Sequence, residues 1–376
     1  MRIQNFNVCI IGGGAAGLAA AASLRGDLNI CILEKNEILG RKVMATGGGR
    51  CNLTNAGCSQ KHATLDFFAS LGMQTCKDSE GRYYPFSEYA PDVVKVLTDA
   101  LGSNVDILTS CNVEATRHQP DGSFCITGKR AGEEFEILAD ILILAAGGKA
   151  APQFGTSGDG YRFARQLGHT VTRLRPILTG IECESDEGSL EELKGIRAKA
   201  DVSLLHDGAP VLSEEGEFVR EQGEIQFIKD GVSGICIFNL TPHMVVIPGE
   251  QPSEALRHYS LKVDLAPGID PDVIAKRSSS FGILNQRLAE RIDREGADLK
   301  AWYLKVSGLK GWRDAQCTGG GVPLTEIDMQ TMESNITKNL FFAGEIINVQ
   351  GPCGGYNLQN AWETGIKAAR AINQRR

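Results

Sequence analysis

The chain has 376 residues, of which 42% are hydrophobic, and it carries a formal net charge of −7. This length permits two or three domains, and the acidic balance disfavours a nucleic-acid partner, because such proteins normally present a basic surface. The 11 cysteines form no C-x-x-C pair and no metal-ligand spacing, so we expect free thiols, no metal site and a reducing, cytoplasmic environment.

The beginning of the chain has the pattern of a dinucleotide-binding unit. An apolar strand over 8–11 leads into Gly12, Gly14 and Gly17, which form a G-x-G-x-x-G turn before an alanine-rich helix. The first glycine permits a tight bend, the second lets backbone approach a pyrophosphate, and the third lets the helix pack on the sheet. Glu34 ends the next strand, where a carboxylate accepts hydrogen bonds from ribose hydroxyls.

The same stretch has a competing interpretation as a secretory signal peptide. Residues 8–24 are largely apolar, but only Arg2 supplies a charge before them, and their glycines weaken the helix that such a segment needs. No other stretch approaches the roughly 18 apolar residues of a membrane span. We therefore expect a soluble chain without a membrane partner.

Helices and strands alternate through the rest of the first half. The patterns predict a helix over 92–101, a strand over 105–109 and a hairpin of 124–128 with 135–138. The apolar run 140–144 predicts a buried strand that delivers glycines to the sheet edge where ligands of open α/β sheets bind. The residues at that edge are Ala146, Gly147 and Gly148.

The sequence pattern changes after about residue 176 from alternating strands and helices to antiparallel strands followed by helices. The α/β pattern returns near the end of the chain. Periodicity predicts antiparallel strands over 200–205 and 236–240, helices over 253–261, 270–277 and 284–295, and a closing strand and helix over 340–343 and 358–372. The simplest interpretation is one discontinuous nucleotide-binding domain, made by both ends of the chain, with a β-plus-helical insertion between them.

Several long loop motifs resemble the signature of the BaiN/YhiN-like flavoproteins, a branch of the glutathione-reductase-type FAD proteins. They are GRKVMATGGGRCNLTN at 40–55, TSGDG at 156–160, TMES at 331–334, and FAGE at 342–345 with GGYNLQ at 354–359. The resemblance covers nearly the whole chain and is weakest over 177–310. There QFIKD at 226–230 stands where the family usually has a Phe-Thr-His-like run.

The resemblance implies an α/β fold with three parts. A Rossmann-like FAD-binding domain is expected over 1–176 and 311–376, an inserted antiparallel β-barrel domain over 177–251, and a small helical subdomain over 252–310. The implied cofactor is FAD. The chain has no second G-x-G-x-x-G, so either NAD(P)H binds only transiently as the hydride donor, which is the expectation, or another donor is used.

The family also implies an activity, with alternatives. The leading expectation is an NAD(P)H-driven reductase of conjugated C=C bonds in a small apolar enone-type substrate, as in bile-acid intermediates. A flavin-dependent amine oxidase using oxygen is the alternative within the same class. An FAD-containing RNA-modifying or redox-sensing protein is the alternative from another class, and the acidic charge argues against RNA.

Glycine-rich loops and the resemblance together assign FAD contacts. The 46–52 loop is expected to place backbone N–H groups against a phosphate or the flavin edge, with Arg50 adding charge. Glu345 reaches a ribityl hydroxyl, as the resemblance implies, and the last helix directs its dipole at the reduced flavin. Residues expected to bind FAD are Gly12, Gly14, Ala15, Ala16, Gly17, Glu34, Lys35, Arg41, Lys42, Thr46, Gly48, Gly49, Arg50, Cys51, Asn52, Val113, Ala146, Gly147, Gly148, Gly344, Glu345, Gly354, Gly355, Tyr356, Asn357 and Leu358.

Three of these contacts have alternative structural explanations. Lys35 and Arg41 flank the adenine side or belong to a solvated basic face. Val113 pairs its backbone with adenine, as in the family, or packs in the core.

Reduction of an activated C=C bond needs a hydride at one carbon and a proton at the next, so a proton donor is required. Tyr356 is the first candidate for this catalytic role, followed by Tyr84 and Cys353. Packing is an alternative role for each of them. Cys51 and Cys317 also lie in predicted ligand loops, although no sequence feature marks an activated thiolate.

Overall fold

The computed structural model describes residues 3–246 and 251–375. The chain forms two compact units, one made of residues up to Arg175 together with Cys317 onward, and the other of Pro176–Gln316. Arg2, used above against a signal peptide, lies outside the described residues, as do 247–250 of the predicted β segment. Within the described ranges, no helix is long and apolar enough to cross a membrane.

The elements alternate in the first unit and are mainly β in the second. In chain order the strands are β1 Ile3–Ile11, β2 Ile30–Leu33, β3 Thr54–Asn55, β4 Thr75–Lys77, β5 Arg82–Pro85, β6 Val105–Leu108, β7 Cys111–His118, β8 Phe124–Arg130, β9 Glu133–Leu144, β10 Arg175–Ile177, β11 Ile181–Glu184, β12 Arg197–His206, β13 Ala209–Pro210, β14 Arg220–Ile228, β15 Gly231–Ser233, β16 Tyr259–Asp264, β17 Trp302–Leu309, β18 Cys317–Gly319 and β19 Leu340–Phe342. The α-helices are α1 Ala15–Ser23, α2 Arg41–Ala45, α3 Lys61–Ser70, α4 Ala90–Asp99, α5 Asp159–Gln166, α6 Ile235–Phe238, α7 Pro252–Ala255, α8 Pro271–Ala275, α9 Gln286–Glu295 and α10 Tyr356–Asn373.

The main sheet of the first unit is organised by the long strand β9. Its strand order is β6-β2-β1-β9-β8-β7, and β19 also pairs with β9. Strand β9 runs parallel to β1 from Glu136 to Leu144, and on its other edge its first half pairs antiparallel with β8 and its end pairs parallel with β19. The parallel strands β1, β2, β9 and β19 therefore all end at one edge, which is where open α/β sheets bind ligands.

Two further features of the first unit position the site. Strands β3, β5 and β4 form a small antiparallel sheet. Helix α10 packs closely on α1, where a Cβ on Gly365 would lie 2.3 Å from the carbonyl oxygen of Ala16. Trp362 of α10 is fully buried and donates from Nε1 to the carbonyl oxygen of Leu53 at 3.0 Å. These contacts hold the segment before β3 against the last helix.

The second unit contains a closed antiparallel barrel with its own core. The strand order β12-β14-β15-β11-β17-β16 closes because β16 also pairs with β12. Tyr259, Leu261 and Val263 alternate as buried residues along β16, as expected for a strand with one face in a core. The predicted architecture of a Rossmann-type domain with an antiparallel barrel is confirmed.

Two local predictions of the type of element are wrong. The run 236–240 is not a strand, because the chain turns at Gly234, with φ 117°, and forms α6. The predicted helix 253–261 covers α7 and a 3-10 turn but ends early, since β16 begins at Tyr259. In both places a short segment is compatible with either periodicity, and pairing within the barrel decides the outcome.

Candidate cofactor-binding and active site

The three motif glycines have different surroundings: Gly12 and Gly14 lie in the turn between β1 and α1, and Gly17 lies within α1. A Cβ on Gly12 would lie 2.3 Å from the carbonyl oxygen of Ala145, and one on Gly17 would lie 1.9 Å from that of Gly12. A Cβ on Gly14 would meet no atom within 4 Å. The first and third glycines are thus required by packing, whereas the second faces open space beside the helix end.

The N-terminus of α1 offers backbone donors rather than charged side chains. Gly14 is its N-cap and provides no side-chain cap, so N–H groups of the first turn have no partner within the helix. Glu34 is nearly buried beside this turn, where its Oε2 accepts from Gly13 N at 2.9 Å. Its Oε1 accepts from Asn36 N at 2.8 Å. The carboxylate is therefore fixed at the end of β2, next to the helix.

The loop after α2 holds several residues with positive φ in a row. Gly47 and Gly48 have φ of 58° and 67°, and Cys51 has 63°. A Cβ on Gly48 would meet no atom within 4 Å, so the loop presents bare backbone to open space. The buried Oδ1 of Asn52 has no hydrogen-bond partner. A buried polar atom of this kind normally finds a partner, and a ligand in the loop would supply one.

Glu345, just after β19, joins three segments at the sheet edge. Its Oε2 accepts from Lys42 Nζ at 2.7 Å, and its Oε1 accepts from Thr318 N at 2.8 Å. Thr318 Oγ1 in turn accepts from Lys149 N at 2.7 Å and Ala150 N at 3.0 Å. Burial opposes the charge of Lys42, but the Glu345 carboxylate outweighs it, and the pKa of Lys42 is raised.

The side chains of Thr318 and Glu345 also leave no room for a side chain at residue 148, one of the glycines predicted after the buried strand. A Cβ on Gly148 would lie 2.4 Å from Thr318 Oγ1 and 2.5 Å from Glu345 Oε1, so glycine is required there. Thr318 is absent from the residues predicted above. The glycines that follow it, at 319–321, were the sequence signal that could have identified it.

The N-terminus of α10 is the second helix end in the site. Gly354 and Gly355 both have φ of 107°, and a Cβ on Gly355 would lie 2.6 Å from the carbonyl oxygen of Thr54. Asn55 Nδ2 donates to the carbonyl oxygen of Gly354 at 2.9 Å. Asn55 was also missed by sequence reasoning, although it closes the 40–55 motif. Strand β3 therefore fixes the turn that begins α10.

The candidate proton donors differ in accessibility. Tyr356 is partly exposed, and its hydroxyl donates to Asn55 Oδ1 at 3.3 Å. Tyr84 is only 1% exposed. Burial raises the pKa of Tyr356 and of Tyr84 above the ordinary 10.0, so both phenols stay protonated at neutral pH. Tyr356 is the more accessible of the two.

The buried cysteines near the site are thiols. Burial raises the pKa of Cys51 to about 12, and burial with the nearby Glu345 raises that of Cys317 still further. Neither is a thiolate nucleophile at neutral pH. Cys353 lies in the turn before α10 and is partly exposed. Within the described residues, no group of three or more His, Cys, Asp or Glu is placed to hold a metal ion.

The remaining predicted contacts are mostly engaged within the protein. Lys35 Nζ lies 2.9 Å from Asp159 Oδ2, and Arg41 donates to Asn36 Oδ1 at 3.2 Å. The Thr46 hydroxyl donates to the carbonyl oxygen of Val43 at 2.7 Å. Other members of the predicted set lie as follows: Val113 is buried in β7, Ala146 and Gly147 follow β9, Gly344 precedes Glu345, Gly49 lies in the loop with Gly48, and Asn357 and Leu358 begin α10.

These residues fit an extended dinucleotide such as FAD. The open space at Gly14 suits a pyrophosphate, and Glu34 lies where the sequence places the ribose. The second helix end, the Glu345 carboxylate and the open loop at Gly48 lie in the same unit. Each of these features is a backbone or carboxylate group of the type that binds the phosphates, hydroxyls and ring edge of a flavin dinucleotide.

Comparison with known proteins agrees with this geometry. Residues 58–371 match the family described as HI0933-like protein Rossmann domain. A 3-dehydro-bile acid delta(4,6)-reductase of Clostridium scindens is 34% identical, and the match covers 97% of this chain and 98% of that protein. A ribosomal RNA dihydrouridine synthase of Escherichia coli is 26% identical, with 98% of both chains covered.

Solved structures show the same fold. A quinol–fumarate reductase with menaquinol molecules has a TM-score of 0.50 at 17% identity, covering 100% of this chain and 72% of that one. At this identity the likeness shows the fold alone.

The surroundings of the motif glycines predict opposite phenotypes for two substitutions. Gly14→Val should fold with nearly the thermal stability of flavin-free wild type, because extended φ and ψ at Gly14 suit valine and its Cβ meets no atom, yet the protein should purify without flavin. Gly17→Ala should lose stability or solubility, because its Cβ meets the Gly12 carbonyl. Absorbance at 450 nm and thermal melts check both.

The outcome that would contradict this assignment is a yellow Gly14→Val protein with wild-type flavin content. A normally stable Gly17→Ala protein would show that α1 does not lie as close to β1 as described.

The partly buried ion pair of Lys42 and Glu345 should be energetically coupled. A double-mutant cycle with Lys42→Met and Glu345→Gln, measured by urea unfolding of flavin-free protein, should give about 0.5–3 kcal/mol. The exposed pair of Lys95 and Asp99 is the matched control and should give about 0.3–0.5 kcal/mol. Equal coupling in the two pairs would contradict a structural role for the Glu345 cluster.

Proposed function

The chain belongs to the HI0933-like Rossmann family of FAD-binding oxidoreductases, and from that premise we propose that it reduces a C=C bond conjugated to a carbonyl group in a small apolar substrate. NAD(P)H is the proposed transient hydride donor. The observation that carries the proposal is the 34% identity to the bile-acid reductase over 97% of the chain.

The names of the relatives point to one shared chemistry. A delta(4,6)-reductase acting on a 3-dehydro bile acid saturates C=C bonds in a ring system that carries a ketone. A dihydrouridine synthase saturates the C=C bond of uracil, which is conjugated to a ring carbonyl. Both reactions add a hydride to one carbon and a proton to its neighbour. The proposal transfers this reaction type to the present chain.

Charge favours the small apolar substrate over ribosomal RNA. The net charge of −7 would repel a polyanion, since RNA binding draws much of its affinity from cationic groups that neutralise phosphates. The higher identity to the bile-acid reductase, 34% against 26%, points the same way.

The proposed mechanism assigns distinct roles to the described residues. FAD bound in the site supplies the hydride chemistry. The N-terminus of α1 would hold the pyrophosphate of the cofactor, and the N-terminus of α10 would stabilise negative charge on its ring system. Glu345, held by Lys42 and Thr318, binds and orients a hydroxyl of the cofactor chain. Tyr356 donates the proton to the substrate carbon beside the carbonyl, and Asn55 orients its hydroxyl.

Anaerobic stopped-flow measurements test the proposed function directly. NADH or NADPH should bleach the 450 nm flavin band, and a panel of cyclic and steroidal enones should restore it without oxygen. Amines should not bleach the oxidised flavin. Bleaching by an amine, with no response to either nicotinamide, would replace the proposal by an amine oxidase. Reoxidation by uridine-containing RNA but by no enone would replace it by RNA modification.

Tyr356→Phe isolates the proton-donor role, because it keeps the ring and removes the hydroxyl. Flavin reduction by NAD(P)H should be nearly unchanged, while reoxidation by an enone slows by about 10²–10⁴-fold. In wild type, the raised pKa of Tyr356 should keep reoxidation fast through neutral pH and slow it only above about pH 10, where the donor loses its proton.

Tyr84→Phe is the matched control, because Tyr84 is buried and its hydroxyl lies by Arg50. It should slow reoxidation far less than Tyr356→Phe. The reverse order would transfer the donor role to Tyr84, and normal reoxidation in both variants would move it to Cys353 or water.

A further inference from the structure

Arg50 presents a partly exposed guanidinium beside the open glycine loop. Its Cζ lies 4.5 Å from the centroid of the Tyr84 ring, and its Nη2 lies 3.4 Å from the Tyr84 hydroxyl. The ion-pair partner of Arg50 is Glu88, at 3.7 Å, and the two side chains are 43% and 51% exposed. A guanidinium stacked on a ring keeps edge N–H groups available for an oxygen acceptor. The Glu88 carboxylate is half exposed and lies beyond hydrogen-bond distance, so it offsets the charge of Arg50 only weakly.

Arg82, on the same small sheet, is different. Its Nε lies 2.7 Å from Asp78 Oδ2 and its Nη1 lies 2.9 Å from Glu80 Oε2, and only 17% of the side chain is exposed. Arg82 is therefore neutralised by two carboxylates within direct hydrogen-bond reach. Of these two arginines, Arg50 has the charge available for an incoming anion.

The chain connects Arg50 to the turn that begins α10. Five residues after Arg50, Asn55 bonds to the carbonyl oxygen of Gly354. On β5, Arg82 is two residues from Tyr84, and its Cδ lies 3.8 Å from where a Cβ on Gly354 would stand. The arrangement is continuous: Arg50 stacks on Tyr84, and Tyr84 lies on the same strand as Arg82. Arg82 in turn lies beside Gly354, which precedes Tyr356.

We propose that Arg50 binds the carbonyl oxygen of the substrate and stabilises the enolate that forms on it; this rests on the proposed function. In the step, hydride from the reduced flavin forms a C–H bond at the β carbon, and the C=C electron pair moves toward the carbonyl. The oxygen becomes negative, and Arg50 pairs with it. A proton then forms the second C–H bond at the α carbon, so the flavin is oxidised and the enone reduced.

This assignment differs from the expectation that Arg50 adds charge at a phosphate or the flavin edge. The backbone donors of α1 and the open space at Gly14 already supply a phosphate site. Hydride addition to an enone places a full charge on a substrate oxygen, and a fixed cation at that point lowers the barrier. The role requires partial exposure, which Arg50 has and Arg82 lacks.

The experiment compares four variants of the flavin-loaded protein. Arg50→Met removes the charge, Arg50→Lys keeps it without the planar fork, and Glu88→Gln removes the opposing carboxylate. Lys95→Met is the control for loss of a positive charge at an exposed pair. Two readouts are used: reoxidation of the reduced flavin by 2-cyclohexenone, and the dissociation constants of pentafluorophenolate, an anionic enolate mimic, and cyclohexanone, its neutral counterpart.

Arg50→Met should keep its flavin and its rate of reduction by NAD(P)H, while reoxidation slows by about 10²–10³-fold. Its affinity for the phenolate should fall far more than its affinity for the ketone, and Arg50→Lys should recover part of both losses. Glu88→Gln should change phenolate affinity in the opposite direction, tightening it about two- to fivefold. Lys95→Met should match wild type.

Three results would overturn the assignment. Loss of flavin from Arg50→Met would place Arg50 on the cofactor, unchanged reoxidation would exclude it from the step, and equal losses for phenolate and ketone would show a packing role. If wild type is not reoxidised by any enone, the proposed function fails instead. The phenolate series then still decides whether Arg50 forms an anion site.

Discussion

The close packing of α1 is the constraint on which the site depends. At both faces of this helix only glycine fits: Gly17 beneath the carbonyl of Gly12, and Gly365 of α10 beside the carbonyl of Ala16. A side chain at either point would push the helix outward. Because the helix is held this closely, its N-terminus is fixed at the edge where β1, β2, β9 and β19 end, and α10 is fixed relative to it.

A network of hydrogen bonds around Glu345 also holds the site together. Glu345 accepts from Lys42 and from the backbone of Thr318, and Thr318 accepts from the backbone after Gly148. Four segments far apart in sequence thus share one network with mostly backbone partners. Such a network costs little side-chain entropy to order, and its removal would leave a carboxylate without its donors. It explains how loops rich in glycine form a defined site.

The parts of the site that were predictable are those governed by local geometry. The β1–α1 turn, the strand before Glu345 and the start of α10 each follow from glycine spacing beside apolar runs, so their positions agree with the sequence-based expectations. The partners within the site did not follow, because Thr318 and Asn55 act through contacts across long sequence separations.

The errors in the fold have the same origin. Separate strands are predicted over 135–138 and 140–144, but they belong to one strand, β9, which continues through the buried Ala139 between them. The run 236–240 is apolar and short, which suits a strand or a helix equally, and its neighbours in the barrel make it α6. Periodicity identifies buried faces, but it does not show which partner buries them.

The central claim is that backbone N–H groups at the N-terminus of α1 hold a dinucleotide. Comparing the affinities of the protein for three flavins tests this claim most directly. Flavin-free protein titrated with FAD, FMN and riboflavin, followed by flavin fluorescence, should bind FAD at one per chain. FAD should bind at least about 100-fold more tightly than riboflavin, because the pyrophosphate and ribose contacts contribute charge-assisted hydrogen bonds. Equal affinity for the three flavins would contradict the claim.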